Sequence, residues 1–350
     1  MHETYLMFFS SRIKNYCGYP LVTKPEQPSS AHSSKSGLPE LLAELAFNQP
    51  FGTSLEMNFM TTHPGSLLRE ELHDGRSIAP FIGIFDAFSA TIASKHSPNL
   101  FYSGFGFAAS QYGLPDIGYI AWSDMVQAAW RIRQILPEHR LLVDVDDGYV
   151  DASVACHVSA QLERMGVAMI MLEDQKRPRR CGHFEGKLLL PLEEYMEKLE
   201  MVLAQRTEMC VLARTDAAGD EIYRRLKRIS ETDVDVIMVD GVRSIETLRE
   251  VRKITDKPLL FNQIAGGKSP RATLSELRAA GASLALYSTP CLFAAQTAID
   301  ESLSAIFSDD GRLPDTSGGR SVGVAECSSM LQENMAHHLP EVDLAKFVQA

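Results

Sequence analysis

No CxxC pair occurs in this chain. Its six cysteines (Cys17, Cys156, Cys181, Cys210, Cys291 and Cys327) follow no zinc-ligand spacing. That argues against a disulfide framework and a zinc site, and for reduced thiols in a cytosol. No apolar run approaches the roughly 18 residues of a membrane span. The N-terminal YLMFFSS is too short for a signal-peptide core, and no small-residue cleavage site clearly follows it. Basic residues are in deficit, 34 Lys and Arg against 45 Asp and Glu, for a net charge of -11. A nucleic-acid surface is therefore not expected, although a local basic pocket for an anionic metabolite is still allowed. A full glycine-rich dinucleotide fingerprint is also missing. SGFGFAAS matches it only in part, which ranks an open doubly wound sheet second. These absences predict a soluble, cytoplasmic protein with neither nucleic acid nor membrane as partner.

What is present is an ordinary globular composition, 45% hydrophobic and 23% charged over 350 residues, enough for a large core without staples. Residues 1–63 stand apart. TKPEQPSSAHSSKSG is rich in Pro and Ser and reads as a linker, and LPELLAELAF as a short amphipathic helix. This N-terminal extension, partly disordered, is given no catalytic role. From residue 64 short apolar runs alternate with helical stretches. The runs are FIGIF (81–85), LFYSGF (100–105), LLVDVD (141–146), AMIMLED (168–174), CVLARTD (210–216), VIMVDG (236–241), PLLFNQ (258–263) and LALYS (284–288). Their lack of polar alternation marks strands buried on both faces. Ser123 reads as the N-cap of SDMVQAAWRIRQIL, and Gly166 and Gly281 sit where helices should end. Eight strands with mostly helical crossovers predict a (β/α)8 TIM-type barrel over 64–307. A C-terminal helical and irregular segment (308–350) follows.

In such a barrel the strands' C-terminal ends converge on one mouth. Here they carry Ser103 and Gly104, Asp144 and Asp146, Glu173 and Asp174, Arg214 and Asp216, Asp240, and Asn262. Asp144 and Asp146, two apart on a strand, should face the same side. Two carboxylates aimed at one point call for a hard cation, Mg²⁺ (or Mn²⁺ in its place), with Glu173 joining directly or through water. An acidic loop before a helix is the plain alternative. The small residues of SGFGFAASQYGLPD, closed by Asp116, leave backbone N–H groups for a carboxylate or phosphate, or else form a tight turn. Arg214 is suited to clamping an anion, or to a structural ion pair with a strand-end acid. In QKRPRRCGHFEGK, Cys181 is surrounded by Lys176, Arg177, Arg179, Arg180 and His183. Nearby cations lower a thiol's pKa, and a mobile loop could bring it to the mouth opposite the metal. A solvated charge run around an inert cysteine is the alternative.

From PFIGIFDAFSATIA to about Phe307 the chain resembles the isocitrate lyase/phosphoenolpyruvate mutase superfamily. FDAFSA is similar to its opening strand motif, SGFGFAASQYGLPD to its substrate loop and DVDDGY to its metal motif. EDQKRPRRCGHFEGK resembles the gating loop of its lyases, ARTDA its arginine strand and GGKSP a late loop. The resemblance implies a (β/α)8 barrel, Mg²⁺, a small anionic 2-oxo or 2-hydroxy acid as substrate, and a homotetramer exchanging its last helices. It implies that Asp144, Asp146 and Glu173 hold Mg²⁺, partly through water. Ser103, Gly104 and Asp116 would surround the 2-oxo acid portion, and Arg214 would grip a carboxylate. Cys181 would be the catalytic thiol, with Arg180, Gly182 and His183 beside it.

Three positions depart from the lyase pattern. Asp240 stands where a Glu is common, Ala265 replaces a Glu in NQIAGG, and Val150 replaces a glycine. The leading expectation is a Mg²⁺-dependent carbon–carbon lyase cleaving a substituted malate or 2-methylisocitrate-like acid. Alternatives are a phosphonomutase forming a P–C bond, an oxaloacetate hydrolase or decarboxylase, and a non-catalytic metabolite-binding barrel. Phe105, Phe107, Tyr149 and Ala265 are candidates for setting substrate size.

Overall fold

In a computed structural model, which describes residues 62–75, 77–315 and 321–338, eight parallel strands close into one barrel in sequence order. They are β1 (Ala79–Ile84), β2 (Asn99–Tyr102), β3 (Arg140–Asp144), β4 (Met169–Glu173), β5 (Cys210–Thr215), β6 (Val236–Val239), β7 (Leu259–Gln263) and β8 (Leu284–Tyr287). β8 pairs with β1, so no edge strand is left open. Each predicted apolar run is one of these strands, within two residues at either end except that LFYSGF overruns β2 by three, its last residues opening a helix. The linker and the LPELLAELAF helix lie outside the described residues.

Side-chain alternation along each strand sorts the core into two shells. Phe101, Leu142, Met171, Leu212, Met238, Leu260 and Leu286 pack together inside the barrel. Their neighbours Leu100, Val143, Leu172, Ala213, Val239, Phe261 and Ala285 face the helical layer. The residue two beyond each inward apolar side chain also points inward, one layer higher. That position is Ser103, Asp144, Glu173, Arg214, Asp240, Asn262 or Ser288. The polar mouth thus continues the same parity that builds the core.

The outer layer begins with α1 (Pro64–Asp74), α2 (Ala87–Ala93), α3 (Gly104–Phe107) and α4 (Trp122–Ile135). After them come α5 (Ala152–Arg164), α6 (Leu192–Gln205), α7 (Asp220–Ser230), α8 (Ile245–Arg252) and α9 (Leu274–Ala279). α6 shows the usual logic: Leu192, Tyr195, Met196, Leu199 and Val202 fall at i, i+3, i+4, i+7 and i+10 and are buried, leaving the charged face outside. α1 plugs the barrel's N-terminal end, its Leu68 fully buried against the inner shell and Arg69 paired with Asp235 at 2.7 Å. Chemistry is therefore confined to the opposite end. Gly166 and Gly281, with φ of 77° and 102°, follow the last turns of α5 and α9 as expected. Ser123 is not the cap expected of it. α4 begins one residue earlier, and Asp124 accepts the Ala121 N–H at 3.1 Å instead.

Three helices follow β8: α10 (Pro290–Ser308), α11 (Val324–Gln332) and α12 (Met335–His338). None of the 19 residues of α10 is buried within the chain. No helix among the described residues is long and apolar enough to cross a membrane.

Candidate active site

The barrel mouth gathers acids faster than bases. Asp144 ends β3, with Oδ2 accepting the Gly104 N–H at 3.3 Å and Oδ1 the Asp146 N–H at 3.2 Å. Asp146 does not share the strand with it, contrary to the alternation argument. It lies beyond the end of β3 with φ 50°, and this left-handed turn brings its carboxylate back to the mouth. A methyl placed on Gly104 would meet Asp144 Oδ2 at 3.1 Å and Asp146 Oδ1 at 3.4 Å. The two carboxylates therefore border one point, and glycine at 104 keeps it uncrowded. Glu173 ends β4 and is fully buried. Asp146 Oδ2 and Glu173 Oε2 have no hydrogen-bond partner.

Burial pushes Glu173 up to about 7, against the pull of Arg179 and Arg214 and with help from Asp216 and Asp144. Burial also raises Asp144 and Asp146 despite the Arg179 charge. Arg179 and Arg214 offset part of this charge, Arg214 lying 3.2 Å from Glu173 Oε2, and a divalent cation would relieve the remainder. Among the described residues no three His, Cys, Asp or Glu side chains converge at ligating distance on one point. Asp144, Asp146 and Glu173 are the groups here that could hold a cation through its waters, as Mg²⁺ is often held.

SGFGFAASQYG is not a bare loop. Ser103 caps α3, its Oγ accepting the Gly106 N–H at 3.2 Å, and a π-helical turn over Ala108–Tyr112 follows. Ser103 and Phe105 still line the central cavity, and Phe105 packs edge-on against Phe293 at 6.2 Å. Phe107 belongs to the core, against Tyr102. Tyr149 is buried beneath Arg177, whose guanidinium carbon lies 5.7 Å from its ring centre. Neither lines the cavity. The left-handed turn falls on Gly148 and Tyr149, so Val150, exposed and outside it, needs no glycine.

The segment 174–190 folds over the mouth. Leu190 N donates to Asp174 O at 2.8 Å, Gln175 and Leu189 form an antiparallel bridge, and Arg225 of α7 ties both ends, to Asp174 Oδ2 at 3.0 Å and Leu190 O at 2.7 Å. At its tip, Cys181, Gly182 and His183 line a cavity of about 30 Å³ together with Ser103, Asp116, Asp144, Arg214, Asp240 and Asn262. Room for so few water-sized groups means that the loop is closed and must lift to admit a ligand.

The loop's cations do not tune the thiol as their sequence spacing suggests. Arg177 turns to Asp147, at 2.8 Å. Arg179 is only 1% exposed and pairs with Glu173 at 2.8 Å, Asp146 at 3.2 Å and Asp116. Arg180 points away to solvent, reaching only Glu185 O at 3.4 Å, so the gate arginine that enters the rim carboxylates is Arg179 instead. Burial then dominates Cys181 and pushes its thiol up to about 11. The His183 N–H lowers it, Asp240 and Asp116 raise it, and Arg214 lowers it. A cation already matched by carboxylates has little field left for a neighbour.

Arg214 sits opposite Glu173 in the β4–β5 register and touches three acids: Asp240 at 2.8 Å, Asp216 at 2.9 Å and Glu173 at 3.2 Å. Burial works against an ionised Asp240, but Arg214, His183 and Asn262 hold its carboxyl far below the usual range. His183 Nδ1 accepts the Lys268 N–H at 2.9 Å, which leaves Nε2 protonated and facing Asp240 Oδ1 at 3.5 Å. Asn262 donates to the same oxygen at 3.0 Å and accepts from Ser288 Oγ at 2.5 Å. Lys187 bridges Gly182 O and Asp216, and was not anticipated from sequence. Ala265 is exposed and borders a neighbouring cleft rather than this cavity.

Comparison with known proteins agrees with this arrangement. The family model of phosphoenolpyruvate phosphomutase matches residues 68–307. The chain belongs to the isocitrate lyase/phosphoenolpyruvate mutase superfamily. A 2-methylisocitrate lyase of Aeropyrum pernix is 30% identical over 64% of this chain and 73% of its own. A 2,3-dimethylmalate lyase of Eubacterium barkeri is 29% identical over 67% and 82%. The structure of an oxaloacetate acetylhydrolase with 3,3-difluorooxalacetate superposes with a TM-score of 0.74 at 27% identity, covering 81% of this chain and 97% of that one. The superfamily member described here is thus similar to proteins that act on small organic acids, and it is an enzyme by that kinship.

Proposed function

We propose that this superfamily member is a Mg²⁺-dependent carbon–carbon lyase that cleaves a 2-hydroxy di- or tricarboxylate, a substituted malate or a 2-methylisocitrate-like acid, into a 2-oxo acid and a second carboxylate. The observation that carries the reading is that a thiol on the gate, Cys181, lines one closed cavity together with Asp144, the strand-end member of the carboxylate set at the mouth. Relatives named as 2-methylisocitrate lyase and 2,3-dimethylmalate lyase support it.

When bound, Mg²⁺ supplies a Lewis acid at the oxygens of the 2-oxo acid portion. The chain's own groups do the rest. Ser103 and the Gly104 region hold that portion, and Arg214 orients a carboxylate by sharing its guanidinium with the acids already present. As the C–C bond breaks, its electron pair passes to the departing fragment and the substrate hydroxyl gives its proton to a carboxylate of the mouth. Cys181, a thiol that stays protonated at neutral pH, gives its proton to the fragment's carbon. The thiolate left behind keeps the His183 N–H as its hydrogen-bond donor. The hydroxyl proton that is lost balances the proton needed to restore the thiol. Gate closure keeps water from competing for that carbon.

The test is to incubate protein and Mg²⁺ with 2-alkylmalates, 2-methylisocitrate, oxaloacetate and phosphonopyruvate, following release of 2-oxo acid. Release from a 2-hydroxy acid is expected. No turnover on any member, with metal binding intact, would favour a binding barrel. A second reading, hydrolysis of oxaloacetate, draws on the fold match to oxaloacetate acetylhydrolase and is read out in the same panel as oxalate and acetate. The proposal includes a homotetramer in which α10 packs on a neighbouring copy. Ile299, Leu303 and Phe307, spaced by four, stand exposed along it.

A further inference from the structure

Gln175 follows the end of β4 by two residues and is wholly buried, yet it is not among the residues lining the central cavity. Its backbone bridges to Leu189 at the loop's return. Its side-chain amide does something else. Oε1 accepts the Arg180 N–H at 2.9 Å, and Nε2 donates to Arg180 O at 2.7 Å. One primary amide thus pairs with both polar groups of one residue's backbone, as a strand neighbour would. Arg180 is the residue immediately before Cys181. Its own side chain faces solvent and contributes nothing to the cavity.

We propose that Gln175 is the positioning residue for the Cys181 thiol: its two amide hydrogen bonds to the Arg180 backbone fix the gate tip relative to the end of β4, so that the strand carrying Glu173 also sets where the thiol stands. The inference rests on reading Cys181 as the proton donor. Its physical basis is that a buried two-bond pairing is available only with the gate down. When the gate lifts, Gln175 and Arg180 exchange these bonds for water, so the pairing favours closure and specifies a single register for it. A glutamine is required because the pairing needs one donor and one acceptor side by side. Glutamate at 175 would keep the acceptor for Arg180 N–H and set a second acceptor against Arg180 O.

The experiment measures how fast iodoacetamide alkylates each cysteine at pH 8 in full-length protein, by peptide mass spectrometry, in wild type, Gln175→Ala and Gln175→Glu. Cys210, fully buried in the barrel, reports general loosening within the same sample. Alkylation of Cys181 is expected to rise about tenfold or more in both variants, through loss of two hydrogen bonds in Gln175→Ala and, in Gln175→Glu, loss of one with two acceptors left facing each other, with Cys210 unchanged. If Gln175→Ala does not fold, the isosteric Gln175→Glu gives the same reading. An unchanged rate at Cys181, or acceleration of Cys210 in step with it, overturns the proposal. Turnover of Cys181→Ser is measured separately. If it were undiminished, the proton-donor reading would fall while the alkylation result still decided the role of Gln175.

Discussion

Arg179 of the gate and Glu173 of β4 face each other at 2.8 Å with both side chains sealed from solvent. The loop therefore does more than cover the mouth: it inserts a guanidinium among the carboxylates on the barrel rim. Replacing Arg179 by Met leaves Asp116, Asp146 and Glu173 without their main counter-charge. The expected loss is about 3–5 kcal/mol of unfolding free energy at pH 8. Denaturant titration with and without Mg²⁺ checks it, and the loss should shrink when Mg²⁺ is present.

A second prediction concerns pH. Glu173 is raised from 4.5 to about 7, so the folded protein binds a proton that the unfolded chain releases earlier. Stability of the metal-free protein is thus full below about 4.5 as far as this group is concerned, and falls as pH rises through that window. It levels off above 7 after a loss on the order of 3 kcal/mol. Asp240, shifted the other way, acts only at more acid pH. Thermal midpoints between pH 5 and 8 should decline, and the gain on adding Mg²⁺ should grow across the same range. A metal-free midpoint that climbs from pH 5 to 7.5 would contradict the assignment.

Gly182 supplies a third. A methyl there would lie 1.9 Å from Asp240 Oδ2 and 2.4 Å from Arg214 Nη2. Gly182→Ala should prevent the gate from seating and lower kcat by about a hundredfold, the usual cost of a displaced catalytic group. The barrel core is untouched, but an unseated gate draws Arg179 away from its acids, so unfolding free energy should fall by no more than the about 3–5 kcal/mol expected of Arg179→Met. Steady-state kinetics and a denaturation curve on the same preparation separate the two effects.

The fourth is chemical. Cys181→Ser should lower turnover by about 10²–10⁴-fold, the range for loss of a positioned general acid. In the wild type, the Cys181 alkylation rate should keep rising up to about pH 11, where burial places its titration. A plateau near pH 7 would mean that the loop cations reach the thiol after all.

The barrel could be read from the sequence because its physics is local. Eight runs such as MIMLE and VIMV are apolar on both faces, and only a doubly covered parallel strand accounts for that. The convergence of Asp144, Glu173, Arg214, Asp240 and Asn262 followed from the same parity. What could not be read was the pairing of charges. Arg177, Arg179 and Arg180 look alike in the sequence, yet one caps Asp147, one is buried among three acids and one faces solvent. Their division of labour depends on the path of the loop across the mouth, and with it went the expectation of an acidic Cys181. Asp146 reached its place through a left-handed turn that a strand pattern does not encode. Gln175 carried no signal, because its partners are backbone atoms.

The two ends of the gate, Asp174 and Leu190, are joined by a direct hydrogen bond and by Arg225. A segment whose ends are already held together behaves as a ring and not as a free chain, and lengthening a ring costs entropy only logarithmically. Insertions or deletions near Glu185 and Gly186 should therefore leave the barrel's folding almost untouched. The enzyme's choice of what to admit can drift in length and composition while its scaffold stays put.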